Sequence, residues 1–454
     1  MKTNAAPKPA PVYTHEGGKA RRINPEEQLK RLTACCFLGE NTFYVEGVEI
    51  EKAIIEAVQH VNGAFARDWA IEVRSKWFMR HAPLLIIVSM LKKHKEFVAD
   101  AITGCVQRPD EMGELVSLYW KLNGKKMLPR QMRKGLAKCF HKFDEQKLSK
   151  WDFSNAAVKL RDVMFLVYPK SKSEEQVALF KKIADNKLDS VDNWETALSA
   201  GKDKKETFTR LILEERLGGM ALLRNLRNME QAKVDPVVIS GAIKNMSTRY
   251  ILPFRFIAAA KFGPRYEPEL EDAMKRSIDG KEKLAGRTAF LVDTSGSMDA
   301  PLSAKSDLKR FEAGFGMAMV LRWACEAVDI FSFSDRLIGV PPRSGFALRD
   351  ALNSVNMRGG TRLGAAVQVV LQQGVFYDRL IVITDEQTED KVPQHLPVKN
   401  CYMVNVAGYQ NGVGYNGSWH NISGFSEGVL GYIREIERIN ETSIVSSPAP
   451  VGEA

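Results

Sequence analysis

The stretch from Thr288 to Met298 constrains this chain most, because a run of apolar residues there ends at a carboxylate that is followed by hydroxyls. The apolar residues Ala289 to Val292 predict a strand that is buried on both faces of a parallel sheet. Asp293 ends this strand. In open α/β sheets ligands bind beyond the carboxyl ends of the strands, so we expect Ser295 and Ser297 to face the same crevice as Asp293.

Two later segments can add oxygen ligands to this crevice. Gly359-Gly360-Thr361 precedes an amphipathic run, which predicts Thr361 as a hydroxyl at the start of a helix. A second buried strand, Leu380 to Thr384, ends at Asp385. Mg²⁺ prefers about six oxygen ligands near 2.1 Å, supplied by one or two carboxylates, hydroxyls and water. The three segments together therefore predict a site for a divalent cation.

The order Asp-x-Ser-x-Ser, then Thr, then Asp resembles the metal-ion-dependent adhesion site of von Willebrand factor A domains. The resemblance implies Mg²⁺ or another divalent cation as the cofactor, with the last Asp often acting through water. The implied metal-site residues are Asp293, Ser295, Ser297, Thr361 and Asp385. The alternative is a polar turn that caps a helix, but three such segments in the right order favour the metal site.

The rest of the chain divides by its pattern. Residues 25 to 285 contain elements of about 10 to 18 residues with short turns and no strand-like alternation, which is typical of stacked antiparallel helices. After residue 286 strands alternate with helices, which indicates an open parallel sheet. We predict a disordered basic arm at 1–24, a helical-repeat domain at 25–285, an α/β domain at 286–442 and a flexible tail at 443–454.

Charge is unevenly distributed between these parts. Residues 286–454 hold 15 Lys or Arg and 18 Asp or Glu, so the first 285 residues hold 50 of the 65 basic and 37 of the 55 acidic residues. This excess suggests a polyanionic partner for the helical part, although surplus lysine also serves solubility.

Several classes of protein are not expected. The longest apolar run, from Ala82 to Leu91, is too short to span a bilayer, and the N-terminus lacks the apolar core of a secretory signal. Six cysteines without a Cys-x-x-Cys pair indicate a reducing compartment, the cytoplasm. Ser295 does not lie in a Gly-x-Ser-x-Gly elbow, and no phosphate-binding Gly-x4-Gly-Lys loop is present, so we do not expect an enzyme.

The segment from Leu128 to Phe143 predicts a basic helix. Its apolar residues fall on one face, and its Lys and Arg residues recur every four positions on another. A row of cations suits a phosphate backbone, because each contact releases counterions. The candidate RNA-binding residues are Lys126, Arg130, Arg133, Lys134 and Lys138. The alternative is an ordinary solvated helix face.

Several stretches of the chain resemble the Ro autoantigen and its bacterial relatives, the TROVE-module family. They are Leu29 to Leu32, Gly39 to Tyr44, Arg130 to Leu136, Met220 to Met229 and Gly424 to Ile433. The resemblance implies a monomeric, α-helical, HEAT-like repeat ring, followed by an α/β von Willebrand factor A domain with a Rossmann-like parallel sheet.

The same resemblance implies a function. Members of the family bind non-coding RNA, including Y RNA and the single-stranded 3′ ends of misfolded RNA, as chaperones in RNA quality control, in bacteria often beside an exonuclease. Ro proteins commonly present a histidine after the basic helix, where this chain has Trp151 to Asn155, so Y RNA binding in the usual manner is not implied. The alternative function is a protein-interaction scaffold whose A domain captures a partner's carboxylate through the metal.

Overall fold

The computed structural model describes most of the chain. The described residues are 12–13, 19–20, 25–35, 47–76, 78–152, 155–249, 251, 253–278, 282–302, 308–355, 358–407, 417–423, 429–434 and 436–437. The chain forms two compact units. One unit comprises Pro25–Gly39 and Gly47–Tyr250, and the other comprises Met1–Asn24, Glu40–Glu46 and Ile251–Ala454.

The first unit is helical. Its helices are α1 (Pro25–Cys35), α2 (Gly47–His60), α3 (Gly63–Ser75), α4 (His81–Met90), α5 (Val98–Cys105), α6 (Asp110–Asn123), α7 (Arg130–Cys139), α8 (Glu145–Lys150), α9 (Leu160–Val167), α10 (Glu174–Ala184), α11 (Trp194–Ser199), α12 (Lys204–Leu213), α13 (Gly219–Gln231) and α14 (Pro236–Asn245). Within the part of the chain that the structure describes, no helix is both long and apolar enough to cross a membrane.

Helices of this unit pack on near neighbours in sequence. Helices α2, α4 and α6 follow one another in space, and α3, α5, α7 and α9 do the same. Packing of each helix on near neighbours in sequence is typical of solenoid repeats, in which each helix buries its apolar face on the next. The predicted stacking of helices in this part of the chain is therefore confirmed.

The second unit contains a two-stranded ladder and an α/β sheet. Its elements are β1 (Val12–Tyr13), β2 (Lys19–Ala20), α15 (Pro253–Phe262), α16 (Glu267–Ile278), β3 (Leu284–Asp293), α17 (Arg310–Ala324), β4 (Cys325–Phe333), β5 (Leu337–Val340), α18 (Gly345–Ser354), α19 (Leu363–Gln372), β6 (Arg379–Thr384), β7 (Asn400–Asn405) and β8 (Trp419–Ser423). Residues 429–434 are also helical.

The sheet has the strand order β5-β4-β3-β6-β7-β8, and β5 alone is antiparallel to its neighbour. From β3 the chain proceeds to β4 on one side and later returns to β6 on the other. The order therefore reverses between β3 and β6, where an open α/β sheet leaves a crevice for ligands. Asp293 is the last residue of β3, and Asp385 follows the last residue of β6.

The predicted order, a helical part followed by an α/β sheet, is confirmed. The sheet unit begins at Ile251, so it includes α15 and α16, which pack against α17. The sequence analysis placed these two helices in the helical domain. Part of the predicted basic arm, Val12–Tyr13, pairs with Lys19–Ala20. The stretch Gly39 to Tyr44, residues 424–428 and the tail 443–454 lie outside the described residues.

Candidate metal centre and basic helix

Asp293 is held by groups from both strands that meet at the crevice. The backbone N–H of Ser295 donates to Asp293 Oδ1 at 2.8 Å, and the Thr384 hydroxyl donates to Asp293 Oδ2 at 2.5 Å. The Asp293 side chain is fully buried. These bonds fix the carboxylate at the end of β3 and use one lone pair on each oxygen, so further lone pairs remain for a cation.

The two serines connect Asp293 to the second carboxylate. Ser295 Oγ lies 3.1 Å from Ser297 Oγ, and the Ser297 hydroxyl donates to Asp385 Oδ1 at 3.1 Å. Asp385 is fully buried as well. Four of the five predicted metal-site residues thus form one cluster of oxygens between β3 and β6, as the strand ends predicted.

Backbone hydrogen bonds bring the segment that carries Thr361 to the same loop. Arg358 N–H donates to the Thr294 carbonyl at 3.0 Å, and Gly296 N–H donates to the Gly359 carbonyl at 2.9 Å. Thr361 is buried, and its carbonyl accepts from the Glu389 N–H at 2.9 Å.

The position of Thr361 differs slightly from the prediction. Helix α19 begins at Leu363 with Arg362 as its N-cap, so Thr361 lies one residue before the cap. Two residues before Thr361, a Cβ on Gly359 would lie 1.9 Å from Asp335 Oδ2, so another residue there would displace that carboxylate. The Gly-Gly turn therefore holds Thr361 near the loop that carries Ser295 and Ser297. Thr361 does not itself take the N-cap position of α19.

Arg310 was not predicted, yet it contacts the cluster directly. Its Nη1 donates to Asp385 Oδ2 at 2.7 Å and to the Ser297 carbonyl at 3.3 Å. The Arg310 side chain is only 2% exposed, and it is the first residue of α17. An arginine in the first turn of a helix as apolar as α17 is the signal in the sequence that could have suggested a buried ion pair.

The electrostatics of the cluster favour a cation. Burial and, to a smaller extent, the charge of Asp385 together raise the pKa of Asp293 to about 7. Arg310 compensates Asp385, and among the described residues no salt bridge compensates Asp293.

The ligand chemistry also fits a hard divalent ion. Among the described residues no group of three His, Cys, Asp or Glu side chains could hold a metal, so a metal here depends on the hydroxyls. Carboxylate and hydroxyl oxygens are ligands that Mg²⁺ accepts, while it retains several waters. The residues present fit the predicted cation.

The basic helix has the predicted two faces. Met132, Leu136 and Cys139 are buried, whereas Arg130, Arg133, Lys134 and Lys138 are exposed, as is Lys126 before the helix. We call the last five residues, Lys126, Arg130, Arg133, Lys134 and Lys138, the basic face. The α-helix ends at Cys139, and Phe140–Lys142 continue it as a 3-10 turn, so the α-helix is shorter than predicted.

Little negative charge compensates the basic face. Lys138 Nζ lies 3.6 Å from Asp100, and both side chains are largely exposed. Surface pairs of this kind contribute about 0–1 kcal/mol, so a phosphate can replace the carboxylate. Within the described part of the chain, Lys126, Arg130, Arg133 and Lys134 form no salt bridge.

The segment from Trp151 to Asn155 follows the basic helix and contains no histidine. Trp151 lies under the guanidinium of Arg108, whose carbon is 3.4 Å from the ring centroid. Arg108 in turn forms an ion pair with Asp110. Phe153 and Ser154 lie outside the described residues. This stack covers one face of the indole.

Comparison with solved structures finds this fold in the crystal structure of the Ro protein (RSR) of Deinococcus radiodurans. The match has a TM-score of 0.63 and 18% sequence identity, and it covers 91% of this chain and 99% of the Ro chain. Such coverage includes most of both compact units, so the two chains share their order of helical part and sheet. No protein-family model and no curated protein sequence matches the chain.

Proposed function

We propose that this chain is a Ro-like RNA-binding protein. Its helical unit binds non-coding RNA and the single-stranded 3′ ends of misfolded RNA, and it serves as an RNA chaperone in quality control. The fold shared with a Ro protein supports the proposal. The function is non-enzymatic, in a monomeric chain located in the cytoplasm, where the four described cysteines, which are buried and free, stay reduced.

The observation that carries the proposal is the basic face. Five exposed cations lie on and beside one helix, and among the residues that the structure describes only Lys138 of these five forms a salt bridge with a carboxylate. Binding of RNA to such a face releases counterions, so log K should fall with log salt concentration by about 0.7 for each phosphate contact to a single strand. Five contacts would give a slope of about −3.5.

A salt series with two matched triple variants tests this function. Filter binding would compare the wild type with Arg130→Ala/Arg133→Ala/Lys134→Ala and with Lys202→Ala/Lys204→Ala/Lys205→Ala, which removes three exposed lysines elsewhere in the same unit. We expect the first variant to reduce the slope by about 2 and the second to change it little. Absence of salt-dependent RNA binding, or an equal loss in both variants, would contradict the proposal.

A second candidate function concerns the oxygen cluster. In it Asp293, Ser295, Ser297, Thr361 and Asp385 would hold a divalent cation, which when bound offers a coordination position to a carboxylate of a protein partner, for example an exonuclease. The specific observation in favour is the hydroxyl chain between two buried carboxylates. Mg²⁺-dependent capture of a purified acidic partner, lost in Asp293→Asn, would support it.

A further inference from the structure

Helix α9, next to the basic helix, carries an unusual outer face. Its buried residues are Leu160, Val163, Met164 and Val167. Arg161, Phe165 and Tyr168 recur at i, i+4 and i+7 and are exposed. At this spacing Arg161 and Phe165 lie on one side of the helix, and Tyr168 is the residue that ends it. We call these three residues the α9 stripe.

The two rings of the α9 stripe are unusually open to solvent. Phe165 is 44% exposed and Tyr168 is 75% exposed. The guanidinium carbon of Arg161 lies 5.5 Å from the centroid of the Phe165 ring, and no salt bridge of Arg161 is found among the described residues. A guanidinium beside an open aromatic ring, with a second exposed ring at the end of the same helix, is the kind of surface on which nucleobases stack.

The backbone conformation at Tyr168 does not favour a tyrosine. Tyr168 is the C-cap of α9 with φ 48° and ψ 65°, the left-handed region that normally takes Gly or Asn. A bulky residue there is strained, and a ring that is three-quarters exposed gains little packing to offset that strain. Neither the backbone nor the core therefore accounts for a tyrosine at this position.

The charges around the stripe favour a polyanion. Lys159, Lys170 and Lys172 are exposed beside it. The nearest acid along the helix, Asp162, accepts the Lys159 N–H at 3.0 Å and so belongs to the helix start. Helix α9 also packs directly against α7, the helix of the basic face. These exposed lysines suit a polyanion better than an apolar protein surface.

We propose that the α9 stripe stacks the unpaired bases of RNA whose phosphates bind the basic face. The inference rests on the proposed function and assigns a second kind of contact to it. Phosphate contacts supply affinity that depends on salt, whereas stacking on Phe165 and Tyr168 requires a base and is largely indifferent to salt. The stripe thereby favours single-stranded RNA, since paired bases do not offer their faces.

The experiment uses the full chain and two probes of equal length and equal charge, an oligoadenylate and an abasic oligoribonucleotide. We expect the wild type to bind the oligoadenylate at least about fivefold more tightly. Tyr168→Asn should lose most of this preference, while its melting temperature stays the same or rises because Asn tolerates the left-handed backbone. Phe165→Ala should lose part of the preference.

Two further variants make the outcomes distinct. Phe376→Ala removes another aromatic side chain that is 75% exposed, and it should keep the wild-type preference. Lys134→Ala should weaken binding to both probes by the same factor. Equal binding of both probes by the wild type, or an unchanged preference in Tyr168→Asn, would overturn the stacking proposal and leave the RNA-binding function standing. Absence of binding to either probe at low salt would overturn both.

Discussion

Arg310 and Asp385 form an ion pair that is removed from water, with side chains 2% and 0% exposed. Removing one partner of a buried pair costs about 3–5 kcal/mol, because the remaining charge has no compensation. In Arg310→Met, Asp385 would face Asp293 without its internal cation. We expect a large loss of thermal stability in the absence of divalent ions, part of which Mg²⁺ restores. Thermal unfolding with and without Mg²⁺ measures both effects.

A neighbouring residue provides the control for this prediction. Lys309 pairs with Asp299 at 3.0 Å, but the lysine is 45% exposed. Lys309→Met should therefore cost about 0–1 kcal/mol and leave the Mg²⁺ effect as in the wild type. If Arg310→Met gained no more stability from Mg²⁺ than Lys309→Met does, Arg310 would not act as an internal counter-ion of the cation site.

Asp293 gives a prediction for the pH dependence of stability. Its pKa is about 7 in the folded protein and near 3.8 in the unfolded chain, so the folded state binds the proton more tightly. The stability contributed by this proton is complete below about pH 4 and is lost as the pH rises through 7. In metal-free protein, Asp293→Asn should remove this loss and melt higher than the wild type at pH 8. At pH 4 the two should melt alike.

The expected difference at pH 8 exceeds the 2–4 °C that about 1 kcal/mol produces in a unit of this size. Calorimetry of both proteins in chelator, at pH 4 and pH 8, checks it. A wild type that is no less stable than Asp293→Asn at pH 8 would mean that the carboxylate is already compensated without a metal.

The sequence could predict the residues of the oxygen cluster but not the buried arginine beside it. Asp293, Ser295 and Ser297 lie within five residues, and the end of a buried strand fixes where each of them points. The same rule, a polar residue at the end of a buried strand, predicts Asp385 after β6. Arg310 is 75 residues away from Asp385 in the chain, and their contact depends on where α17 starts above the sheet. No local pattern contains that information.

At the scale of elements, glycine decides how closely α7 approaches its neighbour. A Cβ on Gly135 would lie 2.8 Å from Ile102 Cβ and 2.9 Å from the Ala99 carbonyl of α5. Alanine gains about 1 kcal/mol of helix propensity, but overpacking against a backbone costs about 1–3 kcal/mol. We expect Gly135→Ala to destabilise the helical unit by about 1 kcal/mol, as measured by urea unfolding.

Gly241 in α14 gives the opposite sign for the same substitution. Nothing lies within 4 Å of a Cβ built there, so Gly241→Ala should stabilise the protein by about 1 kcal/mol through propensity alone. A stabilising effect of alanine at both positions would show that α5 and α7 can separate without cost, and that the basic face is not fixed by their packing.

Elements with strong periodicity were predicted, and short edge elements were not. The central residues of β3, β6 and β7 form continuous apolar runs, which are typical of strands buried on both faces of a parallel sheet. Strand β5 has four residues, pairs antiparallel at the edge and leaves three of them partly or fully exposed, so its sequence lacks such a run. Strand β8 follows residues rich in Gly and Asn, a composition that is typical of loops. Strands β5 and β8 form by pairing with β4 and β7, and their own sequences do not indicate that pairing.

At the scale of the whole molecule, positive charge and the oxygen cluster belong to different compact units. The basic face lies in Gly47–Tyr250, and all five predicted metal-site residues lie in Ile251–Ala454. The charge excess within the first 285 residues agrees with this division. We therefore expect the two sites to respond to substitution independently.

This independence is testable with two variants and two measurements. Asp293→Asn should lose stabilisation by Mg²⁺ while it binds single-stranded RNA within about twofold of the wild type, a free-energy difference below about 0.5 kcal/mol. Arg130→Ala/Arg133→Ala/Lys134→Ala should lose RNA affinity and keep the full Mg²⁺ effect on its melting temperature. If Asp293→Asn remained folded but lost RNA binding, the cation site would take part in binding RNA, and the assignment of RNA to the helical unit alone would be wrong.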